Sequence, residues 1–319
     1  MVYLFEMFAF VAGTAVGVVL ARRAARGVER AVPPSLEPRR RVIRIARAWA
    51  VSIVVVFSLE WWFPTVAGGM GLSPTIDAAG YYQWWRYWPP VAATAVWVIV
   101  VAAALARTRP RPEAPVGAGL RRTWRTYLRP ADVRLALAAL ALLSVTVLVA
   151  GLASSSGESG WFTVLTIPVG DQGAGSATFP GWGNGVPVLL AAALVAVSAL
   201  RVLNADSIAP FHSPATADDE TALRQAAAVS VLAVAAAGIL LGLGHLWLAI
   251  GSAGEGSVGV GIPHIGTFTF QAGYAAIAPA IAYAGAALEG LGFFLIIRMA
   301  CAPLKIRTVR VETARVDAR

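Results

Sequence analysis

Seven long, predominantly apolar runs limit what this chain can fold into more than any other feature. They cover residues 2–20, 46–66, 88–106, 133–152, 185–203, 226–250 and 275–297. About 20 apolar residues span the hydrocarbon of a bilayer as a helix, at about 1.5 Å of rise per residue. One such run can be a core helix of a soluble domain; seven in 319 residues cannot all be. Composition agrees, with 13% of residues charged where soluble domains carry about 25%. The expected fold class is an all-α polytopic integral membrane protein with seven transmembrane helices, a single membrane domain over residues 1–319.

Orientation follows from the basic residues. Nine arginines, from Arg22 to Arg47, lie between and beside the first two runs, and eight, Arg107 to Arg134, between the third and fourth. Arg201 and Arg224 flank the connection from the fifth to the sixth, and Arg298, Lys305, Arg307, Arg310, Arg315 and Arg319 follow the seventh. With seven spans, all of these fall on one side, and only Arg86 falls on the other. The positive-inside rule makes the rich side cytoplasmic, so the N-terminus is expected outside and the C-terminus inside. Residues 304–319 form a basic cytoplasmic tail. No basic residue precedes the first run and several follow it, the reverse of a secretory signal. The excess of arginine over lysine, with much Ala, Gly and Pro, points to a GC-rich and so bacterial source and to the inner membrane. A net charge of +9 suggests nucleic acid in a soluble protein; here it belongs to the side facing the cytoplasm, and no nucleic-acid partner is expected.

The connections differ in character. Residues 31–41 contain three prolines and read as an extended linker. Leu120, Trp124, Tyr127 and Leu128 recur at helical spacing among arginines, which suits either a short interfacial helix on anionic lipid or a basic loop. Thr216, followed by Asp218, Asp219 and Glu220, has the chemistry of a helix start. On the other side, residues 161–166 and 266–270 are rich in β-branched and aromatic residues, so short strands or hairpins are expected in the extracytoplasmic loops. An ordered set of signals also occurs twice. Ser-Ser-Gly-Glu, Ile-Pro, Gly-Trp, Pro and Ala-Pro span residues 155–210; Ser-Ala-Gly-Glu, Ile-Pro, Gly-Tyr, Pro and Ala-Pro span 252–303. The reading is a parallel repeat, residues 133–210 and 226–303, of outgoing helix, outer loop and returning helix.

Ionisable groups inside a span cost on the order of 2.5–3.5 kcal/mol at its centre, so each needs a reason. Glu289 lies deep in the seventh run among small residues, nine positions from Arg298, roughly 13 Å along a helix. It is a proton or cation site, or a buried anchor bonded to a neighbouring helix; small neighbours allow close approach of that helix. Glu6, Glu60 and His245 fall near the outer ends of their runs, with Arg86 just outside the third. They form a candidate outer-leaflet polar cluster, read as polar packing around Arg86 or, less simply, as acid–base or metal chemistry. No catalytic, cofactor-binding or metal residue is assigned, and no cofactor is expected. His212 and His264 lie outside the spans as lone histidines, and Cys301, the sole cysteine, excludes an intramolecular disulfide.

The chain contains no GxxxxGK[ST], HExxH or GxSxG sequence. Three function classes fit. The first is a permease-like or accessory membrane subunit of a transport system, powered by a proton gradient or by a separate ATP-binding subunit. The second is a non-catalytic scaffold or sensor whose outer cap binds a ligand or another membrane protein. The third is a membrane enzyme acting on lipid or envelope precursors. Transport ranks first and an enzyme last. The lipid bilayer is the one partner common to all three.

Overall fold

A computed structural model describes residues 33–55, 57, 87–109, 123–157, 160–169, 173–262 and 266–302, together with Val19. In chain order the helices are α1 (Glu37–Trp49), α2 (Pro89–Arg107), α3 (Pro130–Ala153), α4 (Trp182–Ser207), α5 (Ala217–Glu255) and α6 (Ala278–Cys301). Strands β1 (Ser155–Ser156), β2 (Phe162–Val169) and β3 (Gly173–Thr178) join α3 to α4, and β4 (Ser257–Ile262) and β5 (Gly266–Gln271) join α5 to α6.

Among the described residues, five helical segments are long and apolar enough to cross a membrane: α2, α3, α4, α6, and α5 with the turn before it, Pro214–Glu255. The chain is a membrane-embedded helical protein. Of the seven expected spans, residues 2–20 lie outside the described residues apart from Val19, and so do residues 56 and 58–66 of the second. Residues 46–49 belong to α1, and 51–55 are helical again after a turn at Ala50.

α5 is the hub. It packs against α1, α2, α3, α4 and α6, and 78% of its most apolar stretch is buried, against 33–50% for the other four spans. Of those four, α2, α3 and α4 expose large apolar side chains such as Val96, Leu137, Leu152 and Leu190, as helices with one face on lipid do. α5 is also the longest helix, at 39 residues, or about 58 Å. It begins at Ala217, where three acids occupy the first turn and favour the positive helix end. Glu220 reaches back from that turn, accepting hydrogen bonds from the backbone N–H of His212 (2.8 Å) and the hydroxyl of Thr216 (3.0 Å). Hydropathy alone marks only residues 226–250, because the first two turns are polar.

The two sheets are small and antiparallel, in the orders β1-β2-β3 and β4-β5. They touch where Val258 fills the space beside Gly175. Strands thus occupy the two stretches rich in β-branched and aromatic residues. At the foot of the second sheet, Tyr274 donates to the carbonyl of Ile250 at 2.9 Å, and burial pushes its phenol up to about 12.

The opposite end of the bundle holds the arginines, and here two readings of the sequence are corrected. Residues 34–41 are no extended linker. Pro34 opens a 3-10 turn and Pro38 sits in the first turn of α1, where a missing N–H costs nothing. Arg39, Ile43, Ala46 and Arg47 are buried on one face of α1. Arg39 pairs with buried Asp206 of α4. Arg47 donates to the Ser230 hydroxyl at 2.8 Å and to the carbonyls of Ala302 (3.1 Å) and Ala226 (3.3 Å). The segment around Trp124 forms no amphipathic α-helix either. Trp124–Tyr127 is a 3-10 turn, and Tyr127 and Leu128 pack against Leu203 of α4 and Ala228 of α5.

Arg224 closes the α4–α5 connection, donating to the carbonyls of Ala209 (2.7 Å) and Pro210 (2.8 Å) with its guanidinium over the Phe211 ring. Trp97 of α2 donates to the carbonyl of Ala46 at 2.9 Å, which ties α1 to the first span.

Removing Asp206 leaves the Arg39 guanidinium buried and uncompensated. Asp206→Leu should destabilise the protein by about 3–5 kcal/mol, and Arg39→Met with Asp206→Leu should recover most of that. Thermal unfolding of the purified protein in mild detergent checks both.

Candidate functional site

The closest helix pair in the structure is α5 with α6, which run antiparallel through the β4–β5 hairpin. Glycine and alanine make that approach possible. A Cβ at Gly244 would fall 2.5 Å from Glu289 Cγ and 2.6 Å from the Gly285 carbonyl oxygen. A Cβ at Gly285 would fall 2.7 Å from the Gly244 oxygen, and one at Gly251 would fall 2.7 Å from Ala282 Cβ. The two backbones are therefore in contact, the arrangement small residues allow between helices in lipid.

This contact sets the depth of two ionisable side chains. Glu289 is close to the middle of α6, which spans Ala278–Cys301, roughly 17 Å from either end. His245 lies ten residues before the end of α5 at Glu255, about 15 Å along the axis. The sequence reading put His245 near an outer boundary because the apolar run stops at residue 250. The helix itself continues five residues past that run, to Glu255, so His245 lies well inside α5.

His245 and Glu289 meet. Nδ1 of His245 is 3.6 Å from Oε1 of Glu289, and the residues are 5% and 6% exposed. That separation lies within ion-pair range and just beyond a hydrogen bond. The surrounding wall is aromatic: the His245 ring meets Tyr87 and Phe57 edge-on at 5.2 Å and 5.8 Å between centroids, and Phe57 packs on Phe293 at 5.2 Å. The other ion pairs among the described residues, on Arg39, Arg40, Arg44 and Arg224, all lie at the arginine-rich end.

The structure thus brings together two residues that the sequence treats as separate candidates. Glu6, Glu60 and Arg86, the other members of the expected outer cluster, lie outside the described residues, as does His264. Ser155 donates its hydroxyl to the Val164 carbonyl at 3.1 Å and shares a hydrogen with Thr166 at 2.6 Å, so it is tied to β2. Among the described residues, no three of His, Cys, Asp and Glu gather where they could hold a metal ion.

Chemically, an imidazole beside a carboxyl is a proton-sharing pair. It can be neutral acid with neutral imidazole, or carboxylate with imidazolium. The two forms carry the same net charge and differ by one proton hop, and each partner lowers the cost of ionising the other. Searches against protein families, curated proteins and solved structures find no match to this chain.

The glycine contact yields a direct test. Gly244→Val should push α6 away at Glu289 and destabilise the protein by about 1–3 kcal/mol. Gly273→Ala, with nothing within 4 Å of the added Cβ, should leave thermal stability unchanged or slightly raised. Melting curves of the two variants in the same detergent distinguish them.

Proposed function

We propose that this chain is a transport component, a permease-like or accessory membrane subunit with no ATPase of its own, in which His245 and Glu289 bind and release a proton in mid-membrane. The observation that carries the reading is the pair itself: two ionisable groups 3.6 Å apart, one near the middle of α6 and one ten residues inside the end of α5, with aromatic rings around them. Ionisable residues at that depth are expensive and mark proton relays and ion paths.

In this reading the runs at residues 2–20 and 46–66 add two spans to the five. The arginine-rich end is cytoplasmic, the sheets are extracytoplasmic, and the membrane is a bacterial inner membrane. The two successive helix–sheet–helix segments, α3 to α4 and α5 to α6, are copies of one unit. Substrate and proton are coupled because loading the pair changes which arrangement of α5 and α6 costs least. A group with unequal proton affinity in two arrangements shifts the balance between them.

The test uses the full chain in proteoliposomes loaded with a pH-reporting dye, under an imposed proton gradient. The small-molecule fraction of a host cell extract serves as the substrate pool. The wild type should dissipate the gradient faster when extract is present, with a loss of roughly 100-fold or more in Glu289→Gln, the scale on which positioned proton-transfer groups contribute. His245→Gln should slow it too. An extract-dependent rate that is the same in Glu289→Gln as in the wild type overturns the proton role. An ATP-binding subunit that co-purifies in fixed ratio moves the energy source from the proton to that partner.

A further inference from the structure

A groove at the arginine-rich end carries a second site. α3 and α6 both flank α5 there and leave between them a cleft of about 240 Å³. Its residues fall into two layers. Arg129, just before α3, Asp132 of α3, Gln225 of α5, Arg298 of α6 and Arg47 of α1 form a polar rim. Below it, Leu135, Leu232 and Leu295, with Ala233 and Ala236, form an apolar floor. The layering follows the chain directions. α3 and α5 leave the rim and enter the bundle, so Leu135 is two turns below Arg129 and Ala236 lies eleven residues beyond Gln225, about 16 Å deeper. α6 arrives from the other direction and places Leu295 one turn before Arg298.

Charge at the rim is three guanidiniums against the carboxylate of Asp132. Arg129 and Arg298 are exposed, and among the described residues neither forms an ion pair. Arg47 already spends hydrogen bonds on Ser230, Ala226 and Ala302 and serves as a fixed wall. A cationic rim above an apolar channel matches a molecule with an anionic head and a hydrocarbon tail. The chain's own segment after Ala302 is a poor occupant, because residues 304–319 hold five basic residues and two acidic ones.

We propose that this groove binds one anionic phospholipid. Its phosphodiester lies between Arg129 and Arg298, a head-group hydroxyl faces Asp132 and Gln225, and one acyl chain runs down the floor along α5. Basic pockets between membrane helices capture anionic head groups in this way, and guanidinium suits phosphate through its paired N–H donors. The site is independent of the proton reading, since no residue is shared.

The test takes the full chain, delipidated in a neutral detergent. It is titrated separately with phosphatidylglycerol, phosphatidylcholine and inorganic phosphate. Native mass spectrometry reads bound lipid, and thermal melting reads stabilisation. Phosphatidylglycerol should bind in preference to phosphatidylcholine. Arg129→Gln with Arg298→Gln should weaken it by roughly thirty-fold, the expected contribution of two interfacial cations. Arg201→Gln, on an exposed face of α4 outside the groove, should not weaken it. Equal binding of the two lipids overturns the proposal, and so does selectivity that survives the double substitution. An equal melting shift from inorganic phosphate, with no lipid preference, assigns the rim to free phosphate and also overturns it. Should the double variant fail to fold, the wild-type lipid preference and its competition by phosphate decide the matter alone.

Discussion

Backbone contact between α5 and α6 is the constraint on which the rest of the structure depends. Gly244 and Gly285 leave no room for a Cβ on either helix. Lipid tails are as apolar as leucine side chains, so helices in a bilayer gain little from burying hydrocarbon against each other and rely on close van der Waals packing. Without those glycines the helices would stand apart by the width of a side chain, and His245 would no longer reach Glu289. The same contact lets α5 be buried along most of its length. Its partners close around it as one shell, and only their outer faces meet lipid.

The arginine-rich end is built on a different principle. There the chain buries charged groups and satisfies them individually: Arg39 by Asp206, Arg47 by one hydroxyl and two carbonyls, Arg224 by two carbonyls and Glu220. A buried cation with such partners adds little net stability, but losing a partner is costly. These contacts fix α1 against α4, α5 and α6, a job that apolar packing would leave loosely specified. The packing they hold in place is also what shapes the groove between α3 and α6.

This division explains what could be read from the sequence. Spans α2 to α6 are legible because one property, a run of about 20 apolar residues, decides them. The start of α5 at Ala217 is legible as well, from Thr216 and the first-turn acids, although it lies nine residues before the apolar run; its end at Glu255, five residues past that run, is not. Arg39 and Arg47 look like parts of a solvated linker because their partners are 167 and 183 positions away. Glu289 stands out in sequence as a charge within an apolar run. Its partnership with His245 does not, because it depends on which helices are neighbours and on how far α5 extends. One local signal was available. In an antiparallel hairpin, residues equally far from the connecting loop share a depth, and Gly244-His245 and Gly285–Glu289 both combine a small residue with an ionisable one.

The His245–Glu289 pair and the groove are separate in chemistry but joined through one helix. Glu289 and Arg298 belong to the same helix, nine residues apart, and a helix of that length moves nearly as a rigid rod. Rotation of α6 about its axis that altered the 3.6 Å approach of Glu289 to His245 would also swing Leu295 and Arg298 relative to α3. Such rotation would carry Gly285 away from the Gly244 oxygen, where a Cβ would fall at only 2.7 Å, and so would break the backbone contact between α5 and α6. The geometry of the pair and the width of the groove therefore both depend on how α6 is seated against α5.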